Sequence, residues 1–582
     1  MPRLRRGRLL GLLALTLVLA GAAWAGWTAW RVNDSLARAA DDASALQDAV
    51  TAGDATAVDN RLAALRTHSD EAADRTDTWT WSALTHVPVV GDDAEGIAVV
   101  SDVLSDLSAD GLEPLADAAD RLDALKPQGG RVDTDALVDL REPVGRARAA
   151  LDAAAARLAE LDSDGFVDRL AIRYDDLEDK VVDARDLMSS TSTALDVMPS
   201  MLGADGPRNH LMIFQNNAEV RSTGGLPGAL SLVRAEGGKV ELARQVPGQT
   251  IPATSEPIVP LEDGEKAAFP GFGYLALNSN VTPDFPRVAE AIRAHYEASY
   301  PESLDGVLAV DPVALGYVLG ATGPVQVGDV ELSADNVVDE LLHQAYLRYE
   351  DPRAQDLFFQ TAARAIFDRV SSGVGDAETL VRALTRATAE GRILVHSFDG
   401  SEQAALDGRP IAGELVTDPN AERPQVGAYF QDSTGGKMSY FLRYGVRATA
   451  TSCADGVQRI TARAVLRSDA PADAASLPDY VTSGGAYGTD PGSQLVAMRI
   501  LGPVGGEIGA ITYDGKPIDN AILGEVYGRP ITTVIALLEP GRDGTVEWRM
   551  TSGEDQTGDV DVSVTPGIEA KDYGSTARSS CR

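Results

Sequence analysis

The stretch LMIFQNNAEVRSTGGLPGALSLV, residues 211–233, is where the chain changes character. HLMIF (210–214) is an apolar run of strand length. GALSLV (228–233) and KVELAR (239–244) flank RAEGG (234–238), the pattern of two strands joined by a tight turn. Between them Arg221 stands beside Ser222 and Thr223 and just before Gly224 and Gly225. Two readings compete. In one, the guanidinium and the loop amides form an anion-binding site. In the other, the segment is a turn that starts a strand, and Arg221 neutralises a nearby acid such as Glu219.

Downstream, helical periodicity over 285–298, 312–320, 335–347, 354–371 and 377–389 alternates with short strands GVLAV (306–310), PVQV (324–327) and RILVH (392–396). Strands alternating with helices predict a central α/β domain over 206–420. From 425 to 582 the helical period disappears. Runs such as VQRITARAVLRS, QLVAMRILGP, ITTVIALLEP and GTVEWRMT, separated by Gly, Pro and Asp, predict an all-β sandwich. Upstream, residues 32–203 are rich in Ala, Leu, Asp and Arg. Leu36, Ala39, Ala43, Leu46 and Val50 recur at three- and four-residue steps, which predicts an all-α stalk of antiparallel hairpins.

The amino terminus predicts a membrane segment. Residues 9–30 hold 22 positions without a charge, preceded by a basic tail (1–8) and ending in Trp24, Trp27 and Trp30. A transmembrane helix would put the tail in the cytoplasm and everything after Arg31 outside the plasma membrane, as a single-pass protein. A cleaved signal peptide ending near Ala23-Trp24-Ala25 is the alternative. The formal charge is −36. Arg3, Arg5, Arg6 and Arg8 supply four positive charges, so the remainder carries −40. Such a surface repels polyanions and argues against nucleic acid as a partner. Cys453 and Cys581 are the only cysteines. In an exported chain an even pair favours a disulfide, with two free thiols as the alternative.

Catalytic signatures are absent. The sequence has no G-x-S-x-G elbow, phosphate loop or H-E-x-x-H, and its six histidines have no metal-ligand spacing. Four stretches, LMIFQNNAEVRSTGGLPGALSLV, TPDFPRVAEAIRAHY, DGVLAVDPVALGYVLGATGPVQV and LSADNVVDELL, resemble in order the bacterial membrane-anchored envelope proteins called domain of unknown function 4012. The layout is more remotely similar to the LytR-CpsA-Psr family, extracytoplasmic enzymes that move glycopolymers from polyprenyl pyrophosphate to peptidoglycan. The carriers are Arg221-Ser222-Thr223, the segment from Asp305-Gly306-Val307 to Gly323-Pro324-Val325, and Tyr346, Arg348, Asp351, Arg353 and Gln355. Thr223 replaces an acid of that family's loop, and Gly248 and Gln249 replace an arginine and an aspartate.

That resemblance implies a phosphate site of Arg221, Arg348 and Arg353, with Asn217 and Thr223 beside them. It also implies a magnesium ion as cofactor, to which Asp305 is the candidate ligand, and an apolar cleft for a lipid tail. Leu226, Leu230, Leu232, Val318 and Leu319 are apolar enough to line such a cleft. Asp284 and Asp311, each before a helix with proline close behind, read as helix caps. Two functions stay open. One is an envelope protein that binds a polyprenyl-linked or phosphate-bearing cell-wall precursor or peptidoglycan, as a glycopolymer phosphotransferase if it is an enzyme. The other is a non-catalytic structural or interaction protein of the envelope.

Overall fold

The computed structural model describes residues 24, 26–46, 48, 49, 55–88, 90–117, 130–373, 375, 377–518 and 524–581. The chain divides into two compact units: Met1–Leu125 with Asp133–Pro199, and Lys126–Val132 with Ser200–Arg582. It is a multidomain α+β protein, helical in its N-terminal part and β-rich towards the C-terminus.

Among the described residues the first unit is built of helices and the turns between them. Residues 26–46 form one helix. It runs antiparallel to Ala55–Thr76, because Ser35 meets Arg75 at 2.7 Å and Asp42 meets His68 at 2.8 Å. Alanines at the seam let helices approach closely: Val32, Ala72, Trp81 and Ala94 pack as one buried cluster. A second cluster joins Val103, Ala154, Leu158, Tyr174 and Val181, and the Tyr174 hydroxyl donates to the Leu158 carbonyl at 2.7 Å. Most of the expected membrane segment, residues 9–23 and 25, lies outside the described residues. Among the described residues no helix is long and apolar enough to cross a membrane.

The second unit contains a five-stranded sheet and a sandwich. The sheet strands are β1 (Arg208–Arg221), β2 (Gly224–Glu236), β3 (Lys239–Pro247), β4 (Gly306–Val310) and, after the ribbon strands β5 (Val325–Val327) and β6 (Val330–Leu332), β7 (Ile393–Ser397). Their order is β3-β2-β1-β4-β7. β1 and β4 run parallel, because β3, which has the same direction as β1, is joined to β4 by a helical crossover that includes Phe285–Ser299. Side chains alternate across the sheet. Leu211, Ile213, Leu230, Leu232, Val307 and Ala309 form one buried face with Phe285, Val288 and Ile292 of that helix. The PVQV run is a strand, but it pairs only with β6 in a separate ribbon.

The opening stretch is a hairpin, not an open loop. β1 continues through Arg221, which pairs with Gly224, leaving Ser222 and Thr223 as a two-residue turn. The ladder bulges between Asn216 and Val220. There Gly225 approaches the partner strand so closely that a Cβ would stand 2.2 Å from the Asn216 carbonyl carbon. Only glycine fits that contact.

The sandwich packs strands β8 (Gln425–Asp432), β9 (Leu442–Ala454), β10 (Val457–Ser468), β11 (Gln494–Leu501), β12 (Glu507–Tyr513), β13 (Lys516–Pro517), β14 (Gly524–Val526), β15 (Arg529–Leu538), β16 (Asp543–Thr551), β17 (Val560–Val564) and β18 (Ser575–Ala577). One sheet is ordered β13-β12-β16-β10-β9 and the other β14-β15-β11-β8-β17-β18. Phe430, Ile460, Met498, Val546 and Trp548 fill the space between them, and Val220 from the tip of the β1–β2 hairpin joins the same core. Cys453, near the end of β9, and Cys581 form a disulfide with a Cα separation of 5.0 Å. The segment KMSYFLRYGVRATAT, residues 437–451, opens as a helical turn, Met438–Phe441, before β9 begins.

Candidate functional site

On the sheet face opposite the buried helix, Phe214, Ala229, Ser231, Gln245 and Pro247 form the floor of a cavity of 390 Å³, within the range of small-molecule sites. Its walls come from three helical segments. Pro312–Thr322 contributes Pro312 and Leu315. A π-helical turn, Glu340–Gln344, presents the consecutive Leu341 and Leu342. Pro352–Ser371 contributes Phe359, Ala363 and Ile366. Sandwich loops supply the remaining rim: Gly435, Lys437, Asp479, Tyr480, Ser483 and Tyr487. Gly435 has φ +76, and a Cβ there would meet the Tyr487 ring at 2.4 Å, so the missing side chain makes room for that tyrosine. Tyr487 is 70% exposed.

One wall of this apolar cleft is polar. Lys437 Nζ pairs with Glu219 Oε2 at 2.7 Å and stands 4.5 Å from the Tyr480 ring centroid and 5.3 Å from that of Tyr346. Asn216 Nδ2 donates to Glu219 Oε2 at 3.1 Å and to the Tyr346 hydroxyl at 2.8 Å. Burial, with the Glu219 carboxylate nearby, pushes the Tyr346 phenol well above its ordinary value, so it stays protonated. Asp356, which accepts from Gln249 at 3.3 Å, is pushed up by burial. The lining holds one cation, Lys437, and three carboxylates, Glu219, Asp356 and Asp479. Such a lining repels a free anion and accommodates hydrocarbon.

The residues expected to grip phosphate do not line this cavity and are not brought together. Arg221 sits at the hairpin tip against β8, donating to the carbonyls of Val220 at 3.0 Å and Asp432 at 3.5 Å. Its Nε is buried without a hydrogen-bond partner. Burial and the Arg221 charge push neighbouring Arg499 down to about 10, while burial raises Asp432 against the pull of Arg221. Arg348 pairs with Glu340 at 2.8 Å and lies near the Tyr349 and Phe358 rings. Arg353 has an exposed side chain at the start of its helix, where its amide donates to Asp351 at 3.0 Å.

Thr223 Oγ1 donates to Gln215 at 2.8 Å, and Asn280 closes the same turn by donating to the Gly225 carbonyl. Asn217 Nδ2 donates to Asp311 at 3.2 Å and to the Pro566 carbonyl at 3.4 Å. Asp305 accepts from the Asn209 amide at 2.7 Å and faces the Arg208 guanidinium at 3.4 Å. A carboxylate already held by a cation and an amide does not fit a magnesium site. Among the described residues no group of three His, Cys, Asp or Glu side chains could hold a metal ion. Asp311 caps its helix, accepting from the Ala314 amide at 2.8 Å. Asp284 occupies the cap position but accepts instead from the Leu415 amide at 3.0 Å.

Leu226 lines the cleft; Leu230 borders it but belongs with Leu232 to the core on the other sheet face, and Val318 and Leu319 are not in the lining. Sequence reading missed Lys437, Tyr480 and Tyr487. They lie in turns between sandwich strands, where no periodicity marks them.

The fold and site define a multidomain α+β protein whose central sheet, flanking helices and sandwich loops together enclose one apolar cleft. The family model described as a protein of unknown function, DUF4012, matches residues 205–346 and supports that family for the segment from β1 to Tyr346. No curated protein matches the chain.

Proposed function

We propose that this chain is a membrane-tethered envelope protein that receives the apolar chain of a polyprenyl-linked cell-wall precursor in the cleft. The observation that carries this reading is the 390 Å³ cavity, floored by the sheet and walled by Leu341, Leu342, Phe359 and Ile366. The resemblance to LytR-CpsA-Psr enzymes supports the ligand class, and the charge-free run at 9–30 supports the tether. Binding rather than group transfer is the reading, because Arg221, Arg348 and Arg353 are engaged or exposed away from the cleft. The excess of carboxylates in the lining disfavours an anionic head inside the cleft, which supports a pose with the head outside, near Tyr480 and Tyr487.

The test is native mass spectrometry of the detergent-purified full chain with polyprenyl phosphate and, separately, with the uncharged polyprenol. Both should bind alike, and Ala363→Trp, which fills the cleft, should abolish both complexes. No complex with either lipid, or undiminished binding by Ala363→Trp, defeats the reading in favour of a purely structural envelope protein.

A further inference from the structure

The helical unit carries a second apolar feature at one end of its helices. Trp24, Trp27 and Trp30, ahead of or within the helix described over residues 26–46, are 47%, 55% and 60% exposed. Trp24, Trp27, Thr28 and Arg31 enclose a cavity of 160 Å³ together with Arg75 and Thr78, at the far end of the antiparallel helix Ala55–Thr76. The tryptophan-bearing end of one helix therefore lies level with the connection that leaves the other.

That connection, residues 77–90, exposes apolar side chains of its own: Trp79 at 83%, Val87 at 42% and Val90 at 44%. Trp79 is adjacent to Thr78 of the cavity and opens the short helix Trp79–Leu84. Two residues on, Trp81 is buried and donates from Nε1 to the Ala94 carbonyl at 2.8 Å. The local fold thus has a buried place for one indole of this pair and sends the other outward.

Charge does not explain the patch. Arg75 is paired with Glu71 at 3.2 Å, and Asp77 and Asp92 are exposed in the same region. Arg31 stacks on Trp27 at 5.6 Å and has no carboxylate partner among the described residues. Indoles with an apolar body and one polar N–H favour the boundary between hydrocarbon and water. The charge-free residues 9–23 lead straight into Trp24.

We infer that this end of the helical unit rests on a lipid bilayer, with Trp79, Val87 and Val90 as a second contact beside the Trp24–Trp30 segment. This inference rests on the membrane-tethered reading above. The second contact restrains the tilt of the unit on the membrane, which a single tether cannot do.

The full chain, reconstituted in phosphatidylcholine vesicles brominated near the headgroup end of the acyl chains, tests it through quenching of tryptophan fluorescence. Replacing Trp24, Trp27 and Trp30 together by Phe leaves Trp79 with the buried Trp81 and Trp548. That variant should keep part of the quenching, and adding Trp79→Phe should abolish the remainder. Quenching of the wild type that disappears in the triple variant overturns the second contact and leaves the tether intact. An unquenched wild type overturns both. Trp79 is so exposed that its replacement does not threaten folding.

Discussion

Arg392 and Asp311 form an ion pair at 2.8 Å with side-chain exposures of 0% and 1%. Arg392 also donates to Glu390 at 2.5 Å and to the carbonyls of Gly567 at 2.8 Å, Glu569 at 2.6 Å and Lys571 at 3.1 Å. One guanidinium thus fastens the helix cap after β4 and the residue before β7 to the segment following β17. Its five donors in a planar fork match this arrangement, which lysine could not reproduce. Arg392→Met would leave the buried Asp311 carboxylate without a cation and Glu390 with Arg386 alone. The expected loss is about 3–5 kcal/mol of unfolding free energy, read from the urea midpoint. Arg392→Lys should recover only part of it.

Asp284 predicts a pH dependence of stability. Burial pushes its carboxyl up to about 6, despite the hydrogen bond from the Leu415 amide. Between the ordinary aspartate value and about 6, the folded chain keeps a proton that the unfolded chain has released. Its contribution to stability therefore falls as pH rises through that window and is constant above it. Asp284→Asn preserves an acceptor for Leu415 and should remove this component. The difference between variant and wild type should grow by on the order of 2 kcal/mol from pH 4 to pH 7. Parallel denaturation curves at the two pH values check it, and an unchanged difference would refute the assignment.

The Cys453–Cys581 disulfide spans 128 residues of sequence. A closed loop of that length restricts the unfolded chain strongly, and removing such a bridge typically costs about 2–4 kcal/mol. Reduction should lower the urea midpoint of the sandwich, and Cys453→Ser should match the reduced protein. Peptide mapping without reductant should recover the two cysteine peptides linked.

Much of the architecture could be read from local pattern. The 12-residue strand Val457–Ser468 alternates buried and exposed positions almost without exception, as its sequence alternates apolar and polar side chains. Asp311 was legible as a cap because the short carboxylate and the following proline act within one turn of helix. Asp284 carries the same signature, yet its carboxylate turns to Leu415, a contact 131 residues away that no local pattern encodes. The arginine stretch misled for a related reason. Arg-Ser-Thr-Gly-Gly suits an anion loop and a two-residue hairpin equally, and the choice depended on strand pairing and on Val220 entering the sandwich core.

The cleft shows the same division. Leu226 could be proposed for it because apolar residues on a strand must face something dry, whereas Leu230, named on the same ground, faces the helix-covered core. Lys437, Tyr480 and Tyr487 could not, since they reach the cleft only when turns of the sandwich fold over the sheet. By itself the sequence determined the helical, mixed and β-rich succession of the chain, because side-chain period and turn chemistry act over a few residues. The tertiary structure decided where charge could survive. It fixed Arg392 and Asp311 in a dry network and left Arg221 at a hairpin tip. It also placed Lys437 against Glu219 at the cleft, because the energy of a buried charge depends on partners brought from distant parts of the chain.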